Sequence, residues 1–328
     1  MIEAANREFK KRKKLVIISF TKESAAAIDK KLTFQASFAG TIHGFALKEI
    51  MAIQKKHIFK SKIMKESEIK EILIQALMKI DNGIKNNYKQ EITKVLAFMS
   101  SGFYNDRKEL LRYFKILDEY TKIKRKFGLY DYNDTPQYLL ELIDRFNWKL
   151  KYDGLFVDEV QDIDKYEFEL IQRFKCKTFL IGDPRQSIYI FRNSIPDIFD
   201  KFENLGYNMY ILTKNYRSFQ EILDYADAYL EADKGYGGVI TDAQLIAANP
   251  KAQILCRTNR EVEILSPHFE NVSTVHAFKG LESDDVIVVD FLTGSQESLN
   301  VKFVALTRAK NRLGVTTVHE LLKMKRSI

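Results

Sequence analysis

Apolar residues along this chain fall into two rhythms. Short apolar runs at residues 15–19, 155–157, 178–181, 209–212, 253–256, 285–289 and 313–316 have the length and composition of strands buried on both faces. Between them, residues 23–31, 166–174 and 219–230 place apolar side chains three and four apart, the period of one helical face. Strands alternating with helices predict an α/β architecture built on parallel sheets. From about residue 50 to residue 129 the strand rhythm gives way to a helical pattern rich in Lys, Ile and Leu. That stretch reads as a helical insertion in the first α/β domain. The first domain is expected over residues 1–206 and the second over 207–328, where the run at 209–212 opens a new strand. Residues 234–238, Lys-Gly-Tyr-Gly-Gly, read as a loop.

Composition narrows the class. A chain of 328 residues has room for two ordinary domains, and a hydrophobic content of 45% supports packed cores, which excludes wholesale disorder. No apolar run reaches the roughly 18 residues that span a bilayer, so no membrane partner is expected. Residues 1–14 are charged and lack the apolar stretch of a signal peptide. Cys176 and Cys256 lie far apart in apolar runs, the pattern of buried thiols in a reducing cytosol. Lys and Arg number 52 against 44 Asp and Glu, giving +8 and a pI near 9.1. That surplus suits a polyanionic partner such as nucleic acid.

The most informative segment is Leu155-Phe-Val-Asp-Glu-Val-Gln-Asp162. An apolar strand running straight into Asp158-Glu159 puts two acids at a strand tip, and in parallel α/β sheets the active crevice lies at the carboxyl ends of the strands. Asp158 there can hold Mg²⁺, which neutralises phosphate charge, and Glu159 can polarise an attacking water as general base. A second strand ends in Ile181-Gly-Asp-Pro-Arg-Gln-Ser-Ile-Tyr-Ile-Phe-Arg192. The Gln186 amide at that turn can bridge a γ-phosphate to neighbouring groups. Tyr189, Phe191 and Arg192 then alternate aromatic and cationic side chains, a pattern that suits stacking on the bases of a single strand and pairing with its phosphates. A Tyr/Phe pair packed in a core is the other reading of the same rings.

These two segments resemble motifs II and III of the UvrD/Rep/PcrA family of superfamily 1 helicases, and the remaining family motifs follow in order. Ser19-Phe-Thr-Lys-Glu-Ser-Ala-Ala26 resembles motif Ia, Gly40-Thr-Ile-His-Gly-Phe-Ala46 motif Ib, and Leu129-Tyr-Asp-Tyr-Asn-Asp134 the aromatic-acidic segment before motif II. Asn215-Tyr-Arg-Ser218, Thr274-Val-His-Ala-Phe-Lys-Gly-Leu-Glu282 and Val304-Ala-Leu-Thr-Arg-Ala-Lys310 are similar to motifs IV, V and VI. The resemblance implies two RecA-like domains with ATP between them, ATP and Mg²⁺ as cofactors, and 3′ to 5′ movement on single-stranded DNA or a single/double-strand junction. It implies Asp158 as the Mg²⁺ holder, Glu159 as catalytic base, Gln186 as γ-phosphate sensor, and Arg217 and Arg308 as arginine fingers. Tyr216 would stack on adenine, Glu282 would accept from the ribose, and Gly280 would lie against the nucleotide. Phe20, Thr41, His43, Tyr189, Phe191, Arg192, Thr274 and His276 would form the DNA track. A cytoplasmic location, in a bacterial cell or a phage-infected host, goes with this reading.

The chain also departs from the family. No Gly-Lys dipeptide occurs anywhere in it, so the P-loop that should grip the phosphates is missing from the first domain together with its strand. Three explanations stand. The sequence starts late or belongs to a split gene, with the P-loop on a second polypeptide; the chain is an inactive relative that binds DNA or acts as a scaffold; or the phosphate site is unconventional. Loss of the P-loop strand is expected to leave an apolar slot beside the strand at 155–157. Lys22 stands where the family usually has Asn, Ser283 where it often has an aromatic, and the stretch from Ser218 to Thr274 is too short for the large insertion of bigger relatives.

Overall fold

The computed structural model describes residues 6, 14–19, 22–33, 35–80, 88–101, 107–189, 194–231 and 249–327. They form two compact units. Unit one takes the described residues of Met1–Phe98, Lys108–Asp183 and Arg192–Ile198, and unit two those of Met99–Arg107, Pro184–Phe191 and Phe199–Ile328.

The first unit opens with β1 (Leu15–Ile18), α1 (Lys22–Asp29), β2 (Phe38–Gly40) and α2 (Ile42–His57). Thr41 caps α2 by accepting a hydrogen bond from Gly44 N at 3.1 Å, satisfying one of the free amides of a helix start. Next come α3 (Glu66–Ile80), α4 (Tyr88–Ser101) and α5 (Arg107–Phe127). These are the helices foreseen for the insertion, whose helical run here begins earlier, at Ile42. They are followed by α6 (Thr135–Phe146), β3 (Gly154–Val157), α7 (Lys165–Gln172) and β4 (Lys177–Leu180). Asp164 and Glu167 close a capping box at the start of α7.

The sheet has the order β2-β1-β3-β4, and every pairing is parallel. All positions of β1 and β3 are buried, and Leu15, Ile17 and Phe156 form one core cluster. Burial on both faces explains why these two strands read as continuous apolar runs. The slot expected beside β3 is absent: β1 pairs with it on one side and β4 on the other. The edges among the described strands are β2 and β4, and β4 is partly exposed along its length.

The second unit contains the rest of α8 (Ile198–Asn204), then α9 (Gln220–Glu231), β5 (Gln253–Cys256), α10 (Asn259–Leu265), β6 (Val272–Thr274), α11 (Val275–Phe278), β7 (Ser283–Val289), α12 (Gln296–Leu306), β8 (Ala309–Thr316) and α13 (Val318–Ser327). Its sheet is parallel with the order β6-β5-β7-β8. Alternate residues of β5 and β7 point to opposite faces, as a pleated strand requires. Leu255, Val286 and Val288 join one core, while Ile254, Cys256, Ile287 and Val289 join the other. Cys256 therefore sits inside a core, whereas Cys176 is only half-buried; both are free thiols.

One expected strand does not form. Residues 209–212 are apolar but pair with nothing in either sheet, and their side chains face solvent, with Leu212 at 91% exposure. β2 and β6, each of three residues, were not foreseen; Phe-Ala-Gly and Val-Ser-Thr are too short and too mixed to register as apolar runs. The loop read at residues 234–238 lies outside the described residues.

Candidate functional site

In the first unit, the carboxyl ends of the strands gather the predicted groups. Asp158 and Glu159 follow β3 directly. The Asp158 amide donates to Ile18 O at the end of β1 (2.9 Å), and Val160 N donates to Ile181 O just beyond β4 (3.0 Å), so three strand tips are tied together. Glu159 adopts a left-handed backbone conformation, φ 57°, uncommon for a non-glycine residue. Gln161 is buried beneath it. Its Nε2 donates to Glu159 Oε2, and its Oε1 accepts from Asp183 N at 3.1 Å. Gln161 thus orients the Glu159 carboxylate, a role that its place in the motif alone does not reveal.

Burial, reinforced by the neighbouring Glu159 charge, pushes the Asp158 carboxyl up to about 6. A divalent cation would offset both effects, so this pair fits Mg²⁺. Among the described residues no group of three or more His, Cys, Asp or Glu side chains is arranged to hold a metal ion by itself. The fit is to an ion that keeps waters and shares one or two carboxylates with substrate phosphates, rather than to a closed protein cage.

A second group lies at the end of β2. The His43 ring stacks on Tyr132 with centroids 5.6 Å apart, and Thr41 Oγ1 lies 3.4 Å from the Tyr132 hydroxyl. Behind His43, Nδ1 is 3.5 Å from Glu167 Oε1, a buried carboxyl held well above the usual range by desolvation and by Asp164. The loop carrying Tyr132 is pinned from below by Lys124. Its Nζ lies 2.6 Å from both Asp131 and Asp134, and Tyr120 donates to Asp131. Tyr132 was not foreseen as a site residue, although its aromatic-acidic segment was. Phe20, Phe191 and Arg192, expected on the DNA track, lie outside the described residues.

In the second unit the predicted phosphate sensor meets one predicted finger. Arg308 is 2% exposed. Its Nη2 donates to Gln186 Oε1 at 3.2 Å and its Nε to Val304 O at 3.0 Å. The short turn Pro184–Gln186 packs against α12, so Gln186 belongs with the second unit, on the far side of the boundary drawn from the sequence. Lys279, buried and unforeseen, donates from Nζ to Gln186 O at 2.7 Å. Its position inside the Thr274–Glu282 segment was the available signal.

The other finger, Arg217, donates from Nε to Glu282 Oε2 at 2.7 Å, and Lys310 Nζ lies 2.8 Å from Glu282 Oε1. These bonds hold the Glu282 carboxyl below its usual range, Lys310 first and Arg217 second. The Asn215 side chain accepts from Arg217 N and Ser218 N, a local turn that fixes the Arg217 backbone. Tyr216 is 85% exposed, with Lys214 Nζ 4.9 Å from its ring centre. Gly280 turns the chain at φ +86° with open space where a Cβ would be, so its backbone angle rather than crowding requires glycine.

One DNA-track expectation changes here. Tyr189 is 5% exposed; its hydroxyl donates to His276 O, and the His276 ring packs edge-on against it. Its ring belongs to a core cluster and offers no free face for a base, so the core reading of that aromatic describes it. His276 Nε2 lies 3.2 Å from Ile188 O, and Thr274 caps α11 by accepting from Ala277 N. Both side chains are engaged within their own unit.

The profile of the UvrD/REP helicase N-terminal domain matches residues 2–205, well over half of the chain. This chain belongs to the UvrD/REP helicase family. The profile of the viral superfamily 1 RNA helicase core domain also matches, over residues 107–317. Among curated proteins, the UvrD/REP chain is 27% identical over 286 residues to Gabija protein GajB of Bacillus cereus (strain VD045), covering 84% of this chain and 52% of that protein. It is 25% identical over 252 residues to a probable DNA helicase II homolog of Mycoplasma capricolum subsp. capricolum, covering 67% of this chain and 35% of that protein. The chain thus spans about half the length of the first relative and about a third of the second. A solved structure of the PRRSV helicase superposes with a TM-score of 0.36 at 19% identity, covering 54% of this chain and 38% of that one, a likeness too slight to carry an argument. No described helix is long and apolar enough to cross a membrane.

Proposed function

We propose that this chain forms the motor core of an ATP-driven translocase that moves 3′ to 5′ on single-stranded DNA. The observation that carries the reading is the acid pair at the tip of β3, with Glu159 held by buried Gln161 beside Asp158, whose carboxyl is raised to about 6. A cation-hungry aspartate next to an oriented glutamate is what metal-assisted hydrolysis of a phosphoanhydride needs. When bound, Mg²⁺ neutralises charge on the transferred phosphoryl group. Asp158 would hold the ion, and Glu159 would take the proton of the attacking water.

Gln186 and Arg308 already share a hydrogen bond, so a change at a γ-phosphate touching one would be felt by the other. Arg217 must leave Glu282 to reach a phosphate. The pair is partly exposed, and such pairs contribute about 0–1 kcal/mol, so exchange for a triphosphate is energetically easy. Glu282 would then be free to accept from the ribose, with Gly280 beside it, while exposed Tyr216 could cover the adenine. Thr41, His43 and Tyr132 supply a stacking and hydrogen-bonding face for the strand, and Thr274 and His276 would contact it through backbone and helix start. A triphosphate also needs a phosphate-gripping loop, which we propose a partner polypeptide supplies; one relative, from Clostridium novyi, carries the name of a helicase/nuclease subunit.

Single-strand-stimulated ATP hydrolysis should appear when a P-loop is present, and Glu159→Gln should abolish turnover while sparing nucleotide binding. Undiminished hydrolysis would remove Glu159 as the base. Strand displacement on duplexes with a 3′ tail, and none with a 5′ tail, checks the polarity. DNA binding without hydrolysis under every condition would instead favour a scaffold.

A further inference from the structure

A second chemically distinct place lies at the opposite end of the first sheet. Lys14 precedes β1, Ser37 precedes β2 and Tyr152 precedes β3, and all three line one cavity. Because these strands are parallel, their entry ends lie away from the tips that carry Asp158 and Thr41, by about 13 Å for a four-residue strand. The cavity has a volume of about 490 Å³. Lys14, Lys48, Lys56, Lys149 and Lys151 surround it, and all five are exposed.

The acid that lines this cavity is already engaged. Glu49 is buried and accepts from Trp148 Nε1 at 2.9 Å and from the Tyr152 hydroxyl at 2.6 Å. Both rings therefore turn their polar handles toward Glu49 and keep hydrocarbon surface for the cavity, which Phe146 also lines. Cations already sit over these rings: Lys56 Nζ is 5.3 Å from the Trp148 centre and Lys48 Nζ 5.8 Å from that of Tyr152.

Five ammonium groups call for an anion, the aromatic walls call for a flat apolar group, and the volume falls in the range of small-ligand sites, too small for a duplex. A nucleotide of a single strand meets all three conditions: its base would take the place of the Lys56 and Lys48 ammonium groups against the rings, and the lysines would turn to its flanking phosphates. An acidic peptide would meet only the first. We propose that this cavity is a second anchoring site for single-stranded DNA, taking one base against Trp148 and Tyr152. It lies away from the strand tips assigned above to nucleotide chemistry, and its test needs no ATP.

Trp148 is the only tryptophan in the chain, so intrinsic fluorescence reports this cavity directly. The full chain is titrated with an oligothymidylate at low salt. Saturable quenching is expected. The Lys149→Ala/Lys151→Ala variant should bind about tenfold more weakly as read at Trp148, with a salt slope smaller by about 1.4, since each phosphate neutralised on a single strand contributes about 0.7. Both lysines are exposed, and an unchanged circular dichroism spectrum would verify folding. Three results would overturn the proposal: oligomer binding seen by anisotropy with no change or no lysine dependence at Trp148; thymidine monophosphate binding as tightly as the oligomer; or quenching by polyglutamate that the oligomer does not displace, which would assign the cavity to an acidic protein partner.

Discussion

Replacing Asp158 by Asn should stabilise the first unit at about pH 8 and leave it unchanged near pH 4. The carboxyl has an ordinary value of 3.8 and is pushed up to about 6 by burial and by Glu159. The folded chain therefore binds this proton more tightly than the unfolded chain does. The stability that this proton contributes is fully present below pH 3.8 and is lost as pH rises through about 6. A shift of about two pKa units corresponds to at most about 3 kcal/mol. With part of the group open to solvent, a gain of about 1–3 kcal/mol is expected for the variant above pH 6. Asn keeps the shape and can accept the backbone hydrogen bond that the Asp158 carboxyl takes from Glu159, so little else changes. Urea unfolding followed through Trp148, the only tryptophan and a residue of the first unit, reads that unit. Magnesium should narrow the gap by stabilising only the native aspartate form. An Asn variant that is equally or less stable at pH 8, or a difference independent of pH, would refute the reasoning.

Lys124→Met should destabilise the first unit by about 3–5 kcal/mol, because it strands Asp131 and Asp134 without their buried cation; adding Asp134→Asn should recover part of the loss in the same urea assay. Asp285→Asn should weaken the second unit by about 1–2 kcal/mol near neutral pH. It leaves one oxygen to accept from Arg312 but removes the second acceptor and the negative charge of a carboxyl that the Arg312 hydrogen bonds hold below its ordinary 3.8. That stability is present above pH 3.8 and disappears as pH falls below it, so wild type and variant should converge in acid when followed by circular dichroism. Arg217→Ala should change stability by less than about 1 kcal/mol, because its pair with Glu282 is partly exposed. The same change should lower ATP turnover by about 10³-fold or more if Arg217 serves as a finger; equal turnover would remove it from that role.

The sequence alone carried the α/β class, the strands whose residues are buried on both faces, and the acids that follow one of them. A strand such as Leu15–Ile18 is apolar at every position because both of its sides are covered, so the pattern states its own environment. The same logic misread residues 209–212: an apolar run signals burial only if something in the tertiary structure covers it, and here nothing described does. β2 and β6 were invisible for the opposite reason, because three residues of mixed polarity become strands only when a neighbouring strand offers its ladder. Short-range order also let motif residues be named while hiding their partners. Gln186 meets Arg308 across 122 positions and Lys279 across 93, and Trp148 meets Glu49 across 99. Which ring is buried, as Tyr189 is, and which lysines face one cavity were decided only when distant segments packed, because burial and charge density belong to the assembled surface and not to any stretch of chain.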